Sequence, residues 1–134
     1  MSNEARNEEL VRKFFETLST GDLEKIRAAL HPEAQWIPMV QGVPGAGVHT
    51  PRDVIVDDFL GPVRGIFEDG DPKVHVDNLF GKGNLVCAET RGVGKLRNGK
   101  DYNNLYCWVI EVRDDQVHTL REYMDSHYVM GLVE

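Results

Sequence analysis

Residues 85–125 decide the fold of this chain and read LVCAETRGVGKLRNGKDYNNLYCWVIEVRDDQVHTLREYMD. They contain three runs typical of strands, rich in apolar and β-branched residues: Leu85 to Val93, Asp101 to Val112 and Val117 to Met124. The runs are separated by Asn98-Gly99 and by Arg113-Asp114-Asp115-Gln116, and both separators favour tight turns. The stretch therefore predicts three consecutive antiparallel strands.

The register of the first hairpin decides which of its side chains share a face. Centring the turn on Asn98-Gly99 places Glu89 opposite Trp108. The same register places Arg91 opposite Tyr106. Since directly opposed residues point to the same side of a sheet, we expect these four side chains to lie together.

The second hairpin allows two registers. A two-residue loop pairs Glu122 with Cys107, whereas a three-residue loop with a bulge at Asp115 pairs it with Trp108. We favour the bulged loop because it collects the polar and aromatic side chains on one surface. That predicted face consists of Glu89, Arg91, Asn104, Tyr106, Trp108 and Glu122.

Helices dominate the sequence before this region. The predicted elements are a helix from Glu8 to Ser19 ended by Gly21, a second helix from Asp22 to Leu30, a strand from Ala34 to Val40, a helix capped by Thr50, and a strand from Lys73 to Phe80. Helices followed by a meander of strands predict an α+β fold. At 134 residues, we expect one domain over residues 1–134.

Composition limits the classes of partner. Lysine and arginine number 15 against 22 aspartates and glutamates, giving a net charge of −7, which disfavours nucleic acid and anionic membranes as partners. No apolar run approaches the roughly 20 residues that span a bilayer, so we expect a cytoplasmic protein. Cys87 and Cys107 lack metal-ligand spacing, and no metal or cofactor is expected. A small apolar or weakly polar molecule fits better as the partner.

The predicted face has the composition of a small-molecule site, with aromatic walls and a few polar groups. Glu122 would act as the general acid or base. Arg91 would stabilise a developing negative charge, and Glu89 would orient Arg91. Tyr106 and Asn104 would hydrogen-bond the substrate oxygen. The competing interpretation is a solvated ion pair beside ordinary sheet packing.

Further residues are expected to line the same pocket. Trp36, Phe59 and Trp108 would enclose an apolar ligand, with Met124 beside them. His49 follows the Gly-rich segment 42–47, where a pocket mouth would lie, and is an alternative base. Two other functions remain open. One is a non-catalytic binding module anchored by Arg91 and Tyr106, and the other is a structural dimer whose pocket is filled by its own side chains.

Several segments carry a resemblance to a known family. They are Gly21-Asp22-Leu23, His31-Pro32, YNNLYCWV at 102–109 and REYMD at 121–125. On these, the chain resembles the nuclear transport factor 2-like superfamily, in its SnoaL-like, ketosteroid isomerase-related branch. The resemblance implies a cone-shaped, curved antiparallel (mixed) β-sheet wrapped around three N-terminal helices. It also implies a pocket at one end and a homodimer through the outer sheet face.

The family's catalytic positions carry over in part. Glu122 falls where SnoaL-like cyclases and limonene epoxide hydrolase have a catalytic aspartate. Glu89 and Arg91 align with the hydrolase's arginine and aspartate in inverted order. Trp36 and Pro38 replace its water-positioning tyrosine and asparagine, which disfavours epoxide hydrolysis. The resemblance thus implies an isomerase, cyclase or dehydratase-like lyase that acts on a small carbonyl or hydroxy compound.

Overall fold

A computed structural model describes residues 2–133 of the chain. The helices are α1 (Asn3–Thr20), α2 (Leu23–Ala29), α3 (Arg52–Val54), a π-helical segment (Ile55–Leu60), α4 (Gly61–Arg64) and α5 (Ser126–Val133). The strands are β1 (Leu30–Pro38), β2 (Lys73–Lys82), β3 (Leu85–Lys95), β4 (Asp101–Arg113) and β5 (Gln116–Met124). The predicted order of helices followed by a meander is confirmed.

The five strands form one curved, unclosed sheet in the order β1-β5-β4-β3-β2. β1 runs parallel to β5, while the other neighbours are antiparallel, so the predicted mixed sheet is confirmed. The core lies between the inner face of the sheet and the helices. Its largest fully buried side chains are Trp36, Phe14, Phe15, Ile26, Leu30, Ile55, Ile110 and Leu120.

Helix α1 lies against the inner face because its apolar residues recur at helical spacing. Val11, Phe14, Phe15 and Leu18 are buried. The hydroxyl of Ser2 accepts a hydrogen bond from the Ala5 amide at 3.1 Å, so the helix begins earlier than predicted. Its end at Gly21, which has φ 70°, agrees with the prediction.

Two local predictions before the meander are wrong. β1 begins at Leu30 rather than Ala34, because the chain bulges between Leu30 and Gln35 while remaining paired with β5. Thr50 does not cap the third helix. Its hydroxyl donates instead to the Ala34 carbonyl at 2.8 Å, and no side chain within residues 2–133 caps the start of α3.

The predicted register of the first hairpin is wrong by one residue. Ala88 lies opposite Trp108, and Thr90 lies opposite Tyr106. The connection is five residues long because Leu96 leaves the ladder and is buried in a small side core with Phe67 and Tyr102. A one-residue shift reverses the faces of a strand, so every side chain of β3 points opposite to the prediction.

The predicted pairing of Glu122 with Trp108 is confirmed, although its cause differs. The turn has two residues, Asp114 and Asp115, both with positive φ (54° and 58°). The bulge lies further along β5, where Val112 pairs with Val117 and Glu111 pairs with Thr119. The intervening His118 is therefore the extra residue that brings Glu122 to the inner face.

None of the described helices combines the length and the apolar character that a membrane span requires.

Candidate functional site

Glu122 is a buried carboxyl group on the inner face of β5. Its residue is only 9% exposed. One carboxylate oxygen, Oε1, accepts a hydrogen bond from the Trp36 indole Nε1 at 3.0 Å. Within the described residues, the carboxylate receives no other hydrogen bond, which leaves Oε2 available to a ligand.

Burial controls the protonation of this group. Loss of hydration disfavours the charged form and raises the pKa of Glu122 from 4.5 to about 7, although the hydrogen bond from Trp36 opposes the rise. In the part of the chain that the structure describes, no lysine, arginine or histidine forms a salt bridge with Glu122. The group can therefore gain or lose a proton near neutral pH.

Aromatic rings surround the carboxyl group. The rings of Trp36 and Trp108 meet edge to face with centroids 5.6 Å apart, and Phe59 lies 5.9 Å from Trp36. Tyr106 stacks on Trp108 at 5.7 Å. The Trp108 indole donates to the Thr90 hydroxyl at 2.9 Å, which fixes this ring without using Glu122. The faces of these rings are apolar, while the indole N–H groups and the tyrosine hydroxyl at their edges are polar and point in fixed directions.

Three polar side chains, those of Tyr102, Asn104 and Tyr106, lie in succession along the inner face of β4. Asn104 Nδ2 donates to the Tyr102 hydroxyl at 3.0 Å, and the hydroxyls of Tyr102 and Tyr106 are in short hydrogen-bond contact. Burial raises the pKa of Tyr102 and raises that of Tyr106 further. Both hydroxyls therefore keep their protons at neutral pH. Met124, half-buried, lies opposite Tyr106.

His49 lies at the edge of the site. Its backbone pairs with that of Trp36, and its ring stacks on Phe59 with centroids 4.0 Å apart. Its Nε2 donates to the Gly45 carbonyl at 2.6 Å. His49 thus ties the Gly-rich segment 42–47 to Phe59.

Glu89 and Arg91 lie on the outer face of the sheet, so the expectation that they share a face with Glu122 is wrong. Arg91 forms an ion pair with Asp77 at 2.9 Å. Exposed Glu89 accepts a hydrogen bond from Asn78 at 3.3 Å. The shifted register of the first hairpin is the cause.

Sequence reasoning missed Thr90, Gly92 and Tyr102 on the inner face. The sequence of strand β3 contains a pattern that assigns Thr90 and Gly92 to the inner face. Its even positions from Val86 to Gly92 are small or uncharged, whereas the odd positions include both Glu89 and Arg91. A half-exposed strand turns its charged residues outward, and this rule outweighs the preference of Asn98-Gly99 for a two-residue turn.

One group of potential metal ligands lies elsewhere, near the bulge of β5. Ligand atoms of His31, Glu33 and His118 lie within 4.8 Å of one another. However, His31 Nδ1 accepts from the Glu33 amide at 3.0 Å, and its Nε2 faces Asp114 at 3.3 Å. Both ring nitrogens of His31 therefore already have hydrogen-bond partners. The group fits a hydrogen-bonded structural cluster better than a metal site.

Two surface cavities lie outside the Glu122 site. One of about 370 Å³ lies between α1 and β2, and the other, of about 170 Å³, lies between α1, α2 and β5. Glu122 lines neither of them. Phe15 separates the larger cavity from Trp108, since its ring lies 5.4 Å from the indole.

Comparison with known proteins identifies the family. The family model of the SnoaL-like domain matches residues 11–119, and the chain belongs to this family. Its fold is that of nuclear transport factor 2-like proteins, as the sequence resemblance implied. No curated protein matches the chain.

Solved structures agree with this fold. An NTF2-like protein from Burkholderia xenovorans LB400 is 19% identical, with 98% of each chain covered and a TM-score of 0.78. A candidate SnoaL-like polyketide cyclase from Jannaschia sp. CCS1 is 20% identical, covering 97% of this chain and 93% of its own, with a TM-score of 0.80.

A third structure contains a small molecule. It is a hypothetical protein with a ketosteroid isomerase-like fold from Catenulispora acidiphila DSM 44928 in complex with trimethylamine. It is 12% identical and covers 86% of this chain and 84% of its own, with a TM-score of 0.73. At these identities, the structures establish the fold alone.

Proposed function

We propose that this chain is a small-molecule enzyme in which Glu122 transfers a proton on a small, largely apolar carbonyl or hydroxy compound. The reaction would be that of an isomerase, a cyclase or a dehydratase-like lyase. The observation that carries the proposal is a carboxyl group beside aromatic rings, with one oxygen that receives no hydrogen bond from the described residues and a pKa of about 7. A base of this pKa combines a useful ionised fraction at neutral pH with strong proton affinity.

The surrounding side chains have separate roles in this proposal. Trp36 orients the carboxylate through its indole N–H, and Trp108 and Phe59 enclose the apolar part of the substrate. Tyr106 donates a hydrogen bond to the substrate oxygen. Glu89 and Arg91 take no part, because their side chains are on the opposite face.

Substrate entry would require movement of the segment that covers the aromatic side chains around Glu122. Segment 42–47 consists largely of exposed glycine, alanine and proline, and Gly45 lies against Phe59. The His49 ring stacks on Phe59 and donates one hydrogen bond to Gly45, so displacement of this segment would open the site.

Ligand screening followed by turnover tests the proposal. Small carbonyl compounds, lactones and epoxides would be screened by thermal shift, since a ligand at 100 times its Kd stabilises by about 2.7 kcal/mol. For a compound that is turned over, Glu122→Gln should lower kcat by about 10² to 10⁴. Glu89→Gln, an exposed glutamate on the outer face, is the matched control and should retain activity. Equal activity of Glu122→Gln and the wild type would refute the assignment.

A second candidate function is non-catalytic binding of a small organic cation. Glu122 has no cationic partner among the described residues, and the rings of Trp36, Trp108 and Tyr106 lie around it. A carboxylate within aromatic faces favours quaternary ammonium groups. The trimethylamine complex of the Catenulispora protein is consistent with a ligand of this size.

Calorimetry with tetramethylammonium tests this candidate, since the charge of that probe does not change with pH. Binding at pH 8, weakened about tenfold or more by Glu122→Gln, would support it. If no binding is measured at pH 8, the candidate is rejected.

We also propose a homodimer formed through the outer face of the sheet. Large apolar side chains are exposed there, between 42% and 61%: Phe80, Leu85, Leu105 and Tyr123. They come from four neighbouring strands, and large apolar side chains exposed on one face of a sheet favour an interaction surface.

A further inference from the structure

The larger surface cavity, between α1 and β2, has the size of a small-molecule site. Its volume of about 370 Å³ falls within the range of about 300 to 1,000 Å³ that is typical of ligand pockets. β2 is the last strand in the order of the sheet, so the cavity lies at an edge that no other described strand covers. A ligand can therefore reach it without displacing a strand.

The floor of this cavity is apolar. It consists of Phe15 from α1 and of Val74 and Val76, two alternate residues of β2. The valines are half-buried and pack against the core, and Phe15 is only 1% exposed. The Phe15 ring lies between the cavity and Trp108. The floor can therefore hold the apolar part of a ligand separately from the pocket proposed around Glu122.

The polar part of the lining contains two arginine side chains. Arg12 comes from the exposed side of α1, and nothing within residues 2–133 accepts a hydrogen bond from its guanidinium group. Arg91 donates to Asp77 through Nε and Nη2, while its Nη1 has no acceptor in the same range. A guanidinium group matches the two oxygens of a carboxylate. The cavity thus offers N–H donors suited to an anion, although the chain has a net charge of −7.

The charges around the cavity limit the charge of that anion. Glu16 lies one turn after Arg12 and lines the same cavity, and Asp77 neutralises Arg91. The two positive and two negative side chains therefore cancel, which leaves no excess charge to offset the loss of hydration of a dianion. A monoanion held by directed hydrogen bonds is favoured over a phosphate monoester, which carries about two negative charges.

We propose that this cavity binds a small organic monocarboxylate. Its carboxylate would accept hydrogen bonds from Arg12 and Arg91, and its apolar part would lie on the floor formed by Phe15 and the two valines. The site is separate from the proton transfer proposed at Glu122, because Glu122 does not line the cavity.

Isothermal titration calorimetry with phenylacetate tests the proposal, and phenylacetamide is the matched neutral probe. We expect phenylacetamide to bind at least about tenfold more weakly than phenylacetate. Arg12→Gln should weaken phenylacetate binding about tenfold or more, as expected for loss of a hydrogen bond to a charged group. Lys13→Gln removes the same charge from the next residue of α1, which does not line this cavity. This control should change the affinity by less than about twofold.

Two further substitutions separate the charge from the apolar floor. Glu16→Gln removes the negative charge beside the ligand and should strengthen phenylacetate binding about twofold to fivefold, with little effect on phenylacetamide. Val76→Thr replaces a methyl group of the floor by a hydroxyl group. We expect it to weaken the binding of both probes by a similar factor, because it acts on the apolar part that they share.

Three results would overturn the proposal: no binding of phenylacetate, equal affinities for the two probes, or equal effects of Arg12→Gln and Lys13→Gln. A fourth is phenylacetate binding that changes in Glu122→Gln but not in Arg12→Gln, since the probe would then occupy the other pocket. Circular dichroism checks that each variant is folded. The proposed function is tested by turnover in Glu122→Gln, so rejection of this cavity as a carboxylate site would leave that test unaffected.

Discussion

Glu122 couples the protonation of the site to the stability of the fold. Its pKa in the folded chain is about 7 against an ordinary value of 4.5, so folding favours the protonated carboxyl group. The stabilisation is fully present below pH 4.5 and is lost as the pH rises through 7. A shift of this size corresponds to about 3 kcal/mol.

Replacing Glu122 by glutamine should remove this dependence. We expect Glu122→Gln to become more stable relative to the wild type as the pH rises from 5 to 8, by up to about 3 kcal/mol. Urea unfolding across this range measures the difference. Glu89→Gln is the control, because water hydrates that exposed side chain in both the folded and unfolded chains. A difference between Glu122→Gln and the wild type that does not vary with pH would contradict the assignment.

The two tryptophans allow the indole hydrogen bond to be isolated. Trp36 donates to Glu122, whereas Trp108 donates to Thr90. Trp36→Phe should therefore raise the pKa of Glu122 above 7, by about one unit, because a donor to the charged form is lost. Trp108→Phe is the control, because it also removes an indole ring, but one whose N–H does not donate to Glu122. If the pH dependence of stability moves equally in both variants, the hydrogen bond from Trp36 does not control Glu122.

At the scale of elements, the hairpins explain which site residues could be predicted. Periodicity assigns Asn104, Tyr106 and Trp108 to one face of β4. A bulge in the second hairpin predicts the pairing of Trp108 with Glu122, although that bulge lies at His118 rather than at Asp115. The first hairpin could not be predicted from its turn alone. Burial of Leu96 in the side core lengthens the connection, and this tertiary contact outweighs the local turn preference.

The second turn provides a prediction about backbone conformation. Asp115 has φ 58°, in a region that costs non-glycine residues about 1 kcal/mol. We expect Asp115→Gly to stabilise the chain by about 0.5 kcal/mol, after the greater freedom of glycine in the unfolded chain is included. Thermal unfolding measures the change.

Arg6→Ala is the control for that substitution, because Asp115 also forms an exposed ion pair with Arg6 at 3.2 Å. Such pairs contribute little. Destabilisation by Asp115→Gly that exceeds the effect of Arg6→Ala would argue against strain in the turn.

At the scale of the whole molecule, the proposed dimer predicts a response to charge on the outer face. Leu105 is 61% exposed, more than Phe80, Leu85 or Tyr123, and Leu105→Glu should convert a dimer into a monomer because a buried unpaired carboxylate is costly. Analytical ultracentrifugation measures the change. Val48→Glu is the matched control, since Val48 is 57% exposed but lies in a loop. A wild-type chain that sediments as a monomer would disprove the interface.

The sequence predicts more of the overall architecture than of the chemistry. Helical spacing in α1 and alternation in β4 and β5 indicate an α+β fold, since these local patterns agree with the final packing. The substrate does not follow from such patterns. One fold supports many reactions, and the ligand depends on how Trp36, Tyr106 and Glu122 converge from different strands.

The central claim is that Glu122 is a carboxyl group able to exchange its proton near neutral pH. Carbon-13 NMR of side-chain-labelled glutamate measures this directly, with Glu122→Gln identifying the Cδ resonance. We predict that this resonance titrates with a midpoint near pH 7. A midpoint near the ordinary value of 4.5 would contradict the account, because Glu122 would then be a hydrated carboxylate rather than a buried acid or base.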